Sequence, residues 1–410
     1  GQILVGSRPA YTISLMPMDT KIDDSEINTL ATMLKMKPDD IKAKIAAHKG
    51  GYEPIRLAND VPMDIVTNVE EHQHELPGIS VDVEPLRYYP YNTMASQLFG
   101  YVGEVSEDEL NAMKAQGDTN VGPGTILGRA GLERLYDNVL RGTDGGRQVE
   151  VDAAGRPVAE VGRKDTVPGR DIHLTIDLPL QKAAEKAVKD QLAALHSQGI
   201  PATGAAVVAM DPNTGAILAC VSYPGYDNNR LANQMDTAYW AKLNTDESSP
   251  LYNKATQQKT APGSTFKPLM AVAGLSEGII TPTSTINCNG LFGEGLVNES
   301  DYVHCHQLSG HGDLNIVGAI QNSCNVFFCT LGYRLGLDEN GTFTQKRSLE
   351  MIQKYADMFK LDEKTGIEIS ETDPNVTDSL PIPSSIGQGT NNYTTTQLAR
   401  YVTTIANSGT

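Results

Sequence analysis

Ala261-Pro262-Gly263-Ser264-Thr265-Phe266-Lys267-Pro268 is the stretch on which the reading of this chain turns. Pro262-Gly263 makes a turn, and Phe266, Leu269, Met270 and Ala273 follow as a buried helical stripe. Ser264 is therefore expected at or near a helix N-terminus. Residues three apart share a helix face, so Lys267 is placed to reach the Ser264 hydroxyl. Pro268 is tolerated because the first turn's amides have no intrahelical partner to lose. The spacing has a chemical use. A serine hydroxyl is a poor nucleophile until a neighbouring base takes its proton. Lysine serves as that base only when burial and nearby dipoles lower its pKa, and a helix N-terminus helps by disfavouring the ammonium form. The same helix end favours the oxyanion that forms when an acyl group is attacked. Ser-x-x-Lys alone is a weak pattern, since a helix cap followed by a surface lysine produces it too. The rest of the sequence decides.

Working toward the C-terminus, Asn322-Ser323-Cys324-Asn325 stands 59 residues after Ser264 and runs into the apolar Val326-Phe327-Phe328. Ser-x-Asn after Ser-x-x-Lys is the second part of the serine acyltransferase set of penicillin-binding proteins and class A β-lactamases. Other stretches then resemble penicillin-binding proteins in the right order. Val208–Asn229, with Asp211-Pro212-Asn213-Thr214-Gly215 at its turn, resembles the strand hairpin before the active serine. Gly128-Arg129-Ala130-Gly131-Leu132-Glu133 and Leu140-Arg141-Gly142 resemble a mark of the non-catalytic N-terminal region. Ser385-Ile386-Gly387-Gln388-Gly389, leading into Thr396-Gln397-Leu398-Ala399, resembles a stretch late in the transpeptidase domain. The resemblance covers most of the chain from about residue 76 onward. The residues in hand contain no stretch that resembles a glycosyltransferase region, so the chain is expected to be similar to the class B, monofunctional members. Gly310-His311-Gly312 and Tyr89-Pro90-Tyr91 look more like the elongation branch than the septal one.

The resemblance implies an α+β fold: an elongated N-terminal pedestal over 1–168, then a transpeptidase domain over 169–410 with a central antiparallel sheet flanked by helices. It implies a peptidoglycan D,D-transpeptidase that is a target of β-lactams. Ser264 would be acylated by the penultimate D-Ala of a stem pentapeptide, Lys267 would be the base, Ser323 would relay a proton to the leaving amine, and Asn325 would hold the substrate amide. Implied partners are a membrane glycan polymerase of the SEDS type and the elongation complex. The implied location is the bacterial cell membrane, with a single N-terminal anchor outside this stretch and the catalytic domain outside the cytoplasm. A non-catalytic β-lactam sensor or cell-wall scaffold on the same fold is the alternative, and a D,D-carboxypeptidase uses the same chemistry with water as acceptor.

The family's third element is Lys-Thr/Ser-Gly on a strand beside the active site. Lys364-Thr365-Gly366 lies only 41 residues beyond Ser323 and before Ser385–Gly389, where that element does not belong. It reads instead as a helix end, a loop and a short strand. The true triplet is expected after Thr410, so the stretch in hand is expected to be impaired as an enzyme.

The stretch 288–329 holds four of the five cysteines, Cys288, Cys305, Cys324 and Cys329, and three of the eight histidines, His304, His306 and His311. Three thiolates and an imidazole make a common closed zinc site. Cys288, Cys305, His311 and Cys324 are the proposed ligands of a structural Zn that would pin the loop carrying Ser323 and Asn325; certain elongation-type relatives resemble this arrangement. Two other readings stay open: a Cys288–Cys305 disulfide, or buried free thiols, the reading preferred for Cys220 and Cys329. The chemistry itself requires no cofactor. His72, His74, His173 and His196 have no partner pattern, and Arg129 with Glu133, one helical turn apart, reads as a structural ion pair.

Bulk properties agree. The 410 residues suggest two or three folding units, and 40% hydrophobic residues supply a sizeable core. A net charge of −17 argues against a general affinity for nucleic acid or anionic lipid. No run approaches the roughly 18 apolar residues of a membrane span. With Gly1 and no Met at its start, the stretch is expected to be a fragment or a processed form. Local patterns predict helices after Asp23 (Ile27, Leu30, Leu34) and from Pro38 (Ile41, Ile45), and strand-like pieces such as Leu98–Gly103. They also predict a half-buried strand at Ile172–Ile176, an Asp177-capped helix with Leu180, Ala184, Val188, Leu192 and Leu195 on one face, and a hairpin of 205–210 with 216–222.

Overall fold

The structure, a computed structural model, describes residues 1–16, 22–47, 54–118, 120–151, 157–232, 235–293 and 302–409. It divides into two compact units. The first comprises Gly1–Leu174 with Tyr226–Thr245, and the second Thr175–Gly225 with Asp246–Thr410. Both mix helices with antiparallel strands, as the α+β expectation required.

In the first unit, β1 (Gly6–Leu15) lies between β2 (Ile55–Ala58) and β3 (Ile79–Tyr88), both antiparallel to it. Helices α1 (Asp24–Leu34), α2 (Pro38–Ala47) and α3 (Met63–Glu71) complete a core around Ile13, Leu30, Ile41, Leu57 and Val69. The start of α1 follows from its sequence. Asp23 accepts from the Glu26 amide at 2.8 Å while Glu26 accepts from the Asp23 amide at 2.7 Å, which satisfies two otherwise orphaned donors. Two local expectations need correcting. Leu98 and Phe99 end a short helix, Ser96–Phe99, and only Val102–Glu104 is strand, with Gly100 at φ +76° making the change of direction. Arg129 and Glu133 are not partners. Ala130 is the extended N-cap of helix Gly131–Leu135, so the one-turn spacing does not apply. Arg129 pairs with Glu109 at 2.5 Å, and buried Glu133 accepts from Arg87 Nε at 2.6 Å and from the Tyr89 hydroxyl at 3.2 Å. Residues 226–245 join this unit through side chains that mimic backbone pairing. Tyr89 N donates to Asn229 Oδ1 and Asn229 Nδ2 to Tyr89 O, both at 2.9 Å.

The second unit opens with α4 (Leu178–Ser197), capped by Asp177, which accepts from Leu180 N at 2.8 Å. Strands β4 (Ala205–Met210) and β5 (Ile217–Tyr223) form the expected hairpin, and Val188 and Leu192 pack on Val221. Residues 172–176 belong to no strand. Thr175 Oγ1 and Asp177 N donate to Ile217 O and Leu218 O at 2.6 and 2.8 Å, tethering an extended lead-in without a ladder. On α4, Leu180 is 37% exposed while Gln181 is fully buried. The Gln181 amide exchanges hydrogen bonds with the Cys220 backbone, a specific pairing that apolar periodicity does not report.

The main core gathers α5 (Lys267–Ser276), α6 (Asn325–Leu335), α7 (Gln345–Met358) and α8 (Thr395–Ala406). Phe266, Leu269, Met270 and Ala273 are fully buried there, as their spacing predicts, with Phe327, Phe328, Leu331 and Ile352. Between α5 and α6, β6 (Ile286–Cys288) pairs with β7 (Gly312–Leu314). Lys364-Thr365-Gly366 lies in a loop, and the short strand expected at Ile367 is absent among the described residues. The loop is held structurally: Thr365 donates to Glu371 through both N and Oγ1, and Arg400 Nη1 donates to Lys364 O at 2.9 Å. No helix among the described residues is long and apolar enough to cross a membrane.

Candidate active site

Ser264 is exposed at the start of the second unit's main helix, in a short turn of 3-10 helix (Gly263–Phe266) that runs into α5. Gly263 has φ +55°, and its amide donates to Gly387 O at 2.8 Å, so residues 385–389 brace the turn. Gly387, at φ +73°, has no room for a side chain: a Cβ there would stand 2.0 Å from Gly263 O.

Lys267, one turn on, is only 2% exposed. Its Nζ donates to Ser323 O (2.7 Å), Ser323 Oγ (3.0 Å) and Asn325 Oδ1 (2.8 Å). Ser323 Oγ in turn lies 2.8 Å from Ser264 Oγ. The predicted direct reach from Lys267 to Ser264 is therefore replaced by a relay. Among the described residues the lysine makes no hydrogen bond to Ser264, because its donors are taken by the Ser323-Cys324-Asn325 corner. Burial, the larger influence, lowers the Lys267 pKa below the ordinary lysine value, partly opposed by the Cys329, Cys324 and Cys305 sulfurs.

That corner is built with care for backbone groups. Helix Ile316–Gln321 ends with Ser323 in the left-handed region (φ +47°), and Cys324 N returns to Ala319 O at 3.0 Å. Cys324 then caps α6, its Sγ accepting from Phe327 N at 3.5 Å. Asn325 is anchored from the other side by donating Nδ2 to His304 O at 3.0 Å. The four predicted residues, Ser264, Lys267, Ser323 and Asn325, are thus brought into one hydrogen-bonded group. The His304 carbonyl and the Gly387 brace escaped sequence reasoning, because backbone atoms carry no residue signal; only the Ser385–Gly389 resemblance pointed to the second.

Beside this corner Cys288, Cys305, His311 and Cys324 converge, their ligand atoms all within 4.8 Å of one another. His311 Nδ1 lies 3.6 Å from both Cys288 Sγ and Cys305 Sγ, and the Cys305 and Cys324 sulfurs are 4.0 Å apart. A tetrahedral zinc with bonds of about 2.3 Å to sulfur and about 2.0–2.1 Å to nitrogen has edges of roughly 3.5–3.8 Å. The donor set fits such an ion in chemistry and in spacing. All five cysteines are free thiols, so Cys288 and Cys305 are not bridged. Burial disfavours ionisation of Cys305, but the Asn325, Gln307 and Val326 amides outweigh it and the net shift is downward. Burial pushes Cys324, Cys220 and Cys329 up to about 12. His304 and His306 are exposed flanks of the cluster.

With this geometry in view, the family is decided by two domain models. Residues 1–174 match the penicillin-binding protein dimerisation domain, and residues 205–410 match the penicillin-binding protein transpeptidase domain. The chain belongs to the penicillin-binding proteins. Among curated relatives, the peptidoglycan D,D-transpeptidase MrdA of Acinetobacter baumannii is 29% identical over 100% of this chain and 59% of the relative. The protein of that name from Salmonella typhimurium is 30% identical over 88% of this chain and 54% of its own length. The chain thus spans between a half and two thirds of these relatives. In three dimensions it is similar to a penicillin-binding protein (PBP2) from Helicobacter pylori in complex with MreC, with a TM-score of 0.79, 22% identity, and coverage of 99% of this chain and 74% of that one. A structure described as "Structural coordination of polymerization and crosslinking by a peptidoglycan synthase complex" matches with a TM-score of 0.73 and 28% identity, over 99% and 67% of the two chains. The first of these speaks to the fold alone. For a penicillin-binding protein, the order Ser264-x-x-Lys267 then Ser323-x-Asn325 falls inside the matched transpeptidase domain.

Proposed function

We propose that the full protein is a peptidoglycan D,D-transpeptidase of the elongation type, acting through a Ser264 acyl-enzyme and inhibited by β-lactams. The line Ser264 Oγ–Ser323 Oγ–Lys267 Nζ, with steps of 2.8 and 3.0 Å, carries this reading. In the proposed reaction Lys267, in its neutral form, draws the Ser264 proton through Ser323 as the oxygen attacks the penultimate D-Ala carbonyl of a stem pentapeptide. Ser323 then passes a proton to the departing D-Ala amine, and an amine from a neighbouring stem resolves the ester. Asn325, fixed between Lys267 and the His304 carbonyl, would orient the substrate amide.

Cys288, Cys305, His311 and Cys324 would hold a structural zinc, which supplies a crosslink and no step of the chemistry. Since Cys324 lies between Ser323 and Asn325, such a crosslink would fix both motif side chains. A membrane anchor, a glycan-polymerising partner and an elongation complex outside the cytoplasm complete the proposal; the likeness to a structure of a peptidoglycan synthase complex supports the polymerising partner.

The test is intact-protein mass after incubation with a penicillin, on protein carried to the relatives' length. Wild type should gain one drug mass, and Ser264→Ala none. A wild type that stays unlabelled would reject the acyltransferase reading and favour a non-catalytic scaffold.

A further inference from the structure

The four ligand-type side chains beside the active site include three thiols within reach of one another, and this gives the cluster a second chemistry. Cys288, Cys305 and Cys324 are 2%, 1% and 0% exposed, and no disulfide joins them. Cys305 and Cys324 face each other with sulfurs 4.0 Å apart, near enough to close to the roughly 2.05 Å of a disulfide by side-chain rotation and a small backbone shift. The chain that follows Cys305 directly is open to solvent: His306 through Ser309 are all exposed, Leu308 by 73%.

We propose that Cys305 and Cys324 are a peroxide-sensitive modification site that bridges when the cluster holds no metal and thereby disables Ser264. The proposal rests on the acyltransferase reading above. In the first step the Cys305 sulfur attacks the peroxide O–O bond, forming a sulfenic acid and releasing one water. In the second the Cys324 sulfur attacks the sulfenic sulfur, forming the S–S bond and expelling a second water. Two thiols are oxidised by two electrons, and one hydrogen peroxide is reduced to two waters.

The coupling to the active site is geometric. Cys324 is covalently between Ser323 and Asn325, and its sulfur caps α6 by accepting from Phe327 N. Drawing that sulfur toward Cys305 takes it off the Phe327 amide and turns the corner that presents Ser323 Oγ to both Ser264 and Lys267. Ser323 already stands at φ +47°, a conformation that surrounding contacts must hold in place. A displacement of about 1 Å among reacting groups costs on the order of a hundredfold in rate. A resident metal would block the reaction by occupying both sulfurs, so metal loading and peroxide sensitivity should be mutually exclusive.

The experiment compares chelator-stripped and zinc-loaded full-length protein after stoichiometric hydrogen peroxide. Crosslinks are read by non-reducing peptide mass mapping, and Ser264 by its acylation rate with a fluorescent penicillin. Stripped protein should lose two hydrogens, yield a linked Cys305–Cys324 peptide, and acylate about tenfold more slowly or worse. Dithiothreitol should restore both readouts, and zinc-loaded protein should show neither change. Cys305→Ser should keep its untreated acylation rate through the peroxide step. If that variant does not fold, reversal by dithiothreitol in the wild type carries the same information. Thiols that stay free, a dominant Cys288–Cys305 bridge, or a Cys305–Cys324 bridge with unchanged acylation would each overturn the proposal. If reduced protein takes up no penicillin, the Ser264 reading and the coupling fall together, while peptide mapping still judges the disulfide on its own.

Discussion

A lysine with almost no exposed surface is the unusual residue here. A buried ammonium is costly unless its donors are satisfied, and Lys267 satisfies them with Ser323 O, Ser323 Oγ and Asn325 Oδ1. Those contacts hold the side chain in place, while burial favours its neutral form. The sign for function follows. The base must be unprotonated, so acylation should rise with pH as Lys267 loses its proton, and the midpoint should lie below the ordinary lysine value of 10.5. Lys267→Arg keeps the charge at every accessible pH and should cut acylation by about 10²–10⁴-fold with no rising limb in its place. A pH profile of acylation for wild type and variant checks both statements. A wild-type midpoint at or above 10.5 would contradict the lowered Lys267 pKa, and a rising limb that survives in Lys267→Arg would remove Lys267 as the base.

At the scale of elements, the serine turn depends on a second loop packing against it without side chains in between. Gly387 O accepts the Gly263 amide, and a Cβ on Gly387 would stand 2.0 Å from Gly263 O. Gly387→Ala should therefore push the turn out of place and slow acylation by about 10–100-fold. Gly215 in the β4–β5 turn has a similar φ, +72°, but open space around it. Gly215→Ala should lose about 1–3 kcal/mol from backbone strain and leave the acylation rate of the folded protein unchanged. Acylation rate constants and urea midpoints for the two variants separate displacement from strain. Elements of this kind also show what the sequence could and could not say. Asp23 and Asp177 caps, the 205–223 hairpin and the stripe after Ser264 were legible because each rests on neighbours in sequence. The Ile172–Ile176 strand failed because alternation records which side chains are half-buried and says nothing about whether a partner edge exists. Gln181 hid among apolar residues because its burial depends on the distant Cys220 backbone. In the site, Ser264, Lys267, Ser323 and Asn325 were legible as a motif, whereas the relay through Ser323 emerged only once α6 and the serine turn were set side by side.

Across the whole molecule, chemistry and stability are unevenly divided. Each unit has its own apolar core, one around Ile13, Leu30 and Leu57, the other around Phe266, Phe327 and Ile352. Separate cores favour separate unfolding transitions. All four proposed zinc ligands belong to the second unit, on β6, on the stretch from Cys305 to His311 and at the cap of α6. A ligand that binds only the folded form stabilises by RT ln(1 + [L]/Kd), about 2.7 kcal/mol at a hundred times Kd. For a unit of this size that amounts to roughly 5–10 °C. Calorimetry with zinc and then with chelator should move the second unit's transition by about that much and leave the first in place. Cys305→Ser should abolish the response without altering the transition assigned to the first unit, since it removes one of three sulfurs from the cluster and touches nothing in the other core. If zinc shifted both transitions equally, the metal would be binding the surface at large. If it shifted neither, the four side chains would be only a buried polar cluster, and the brace on Ser323 and Asn325 would have to come from the Cys324 cap and the His304 carbonyl alone.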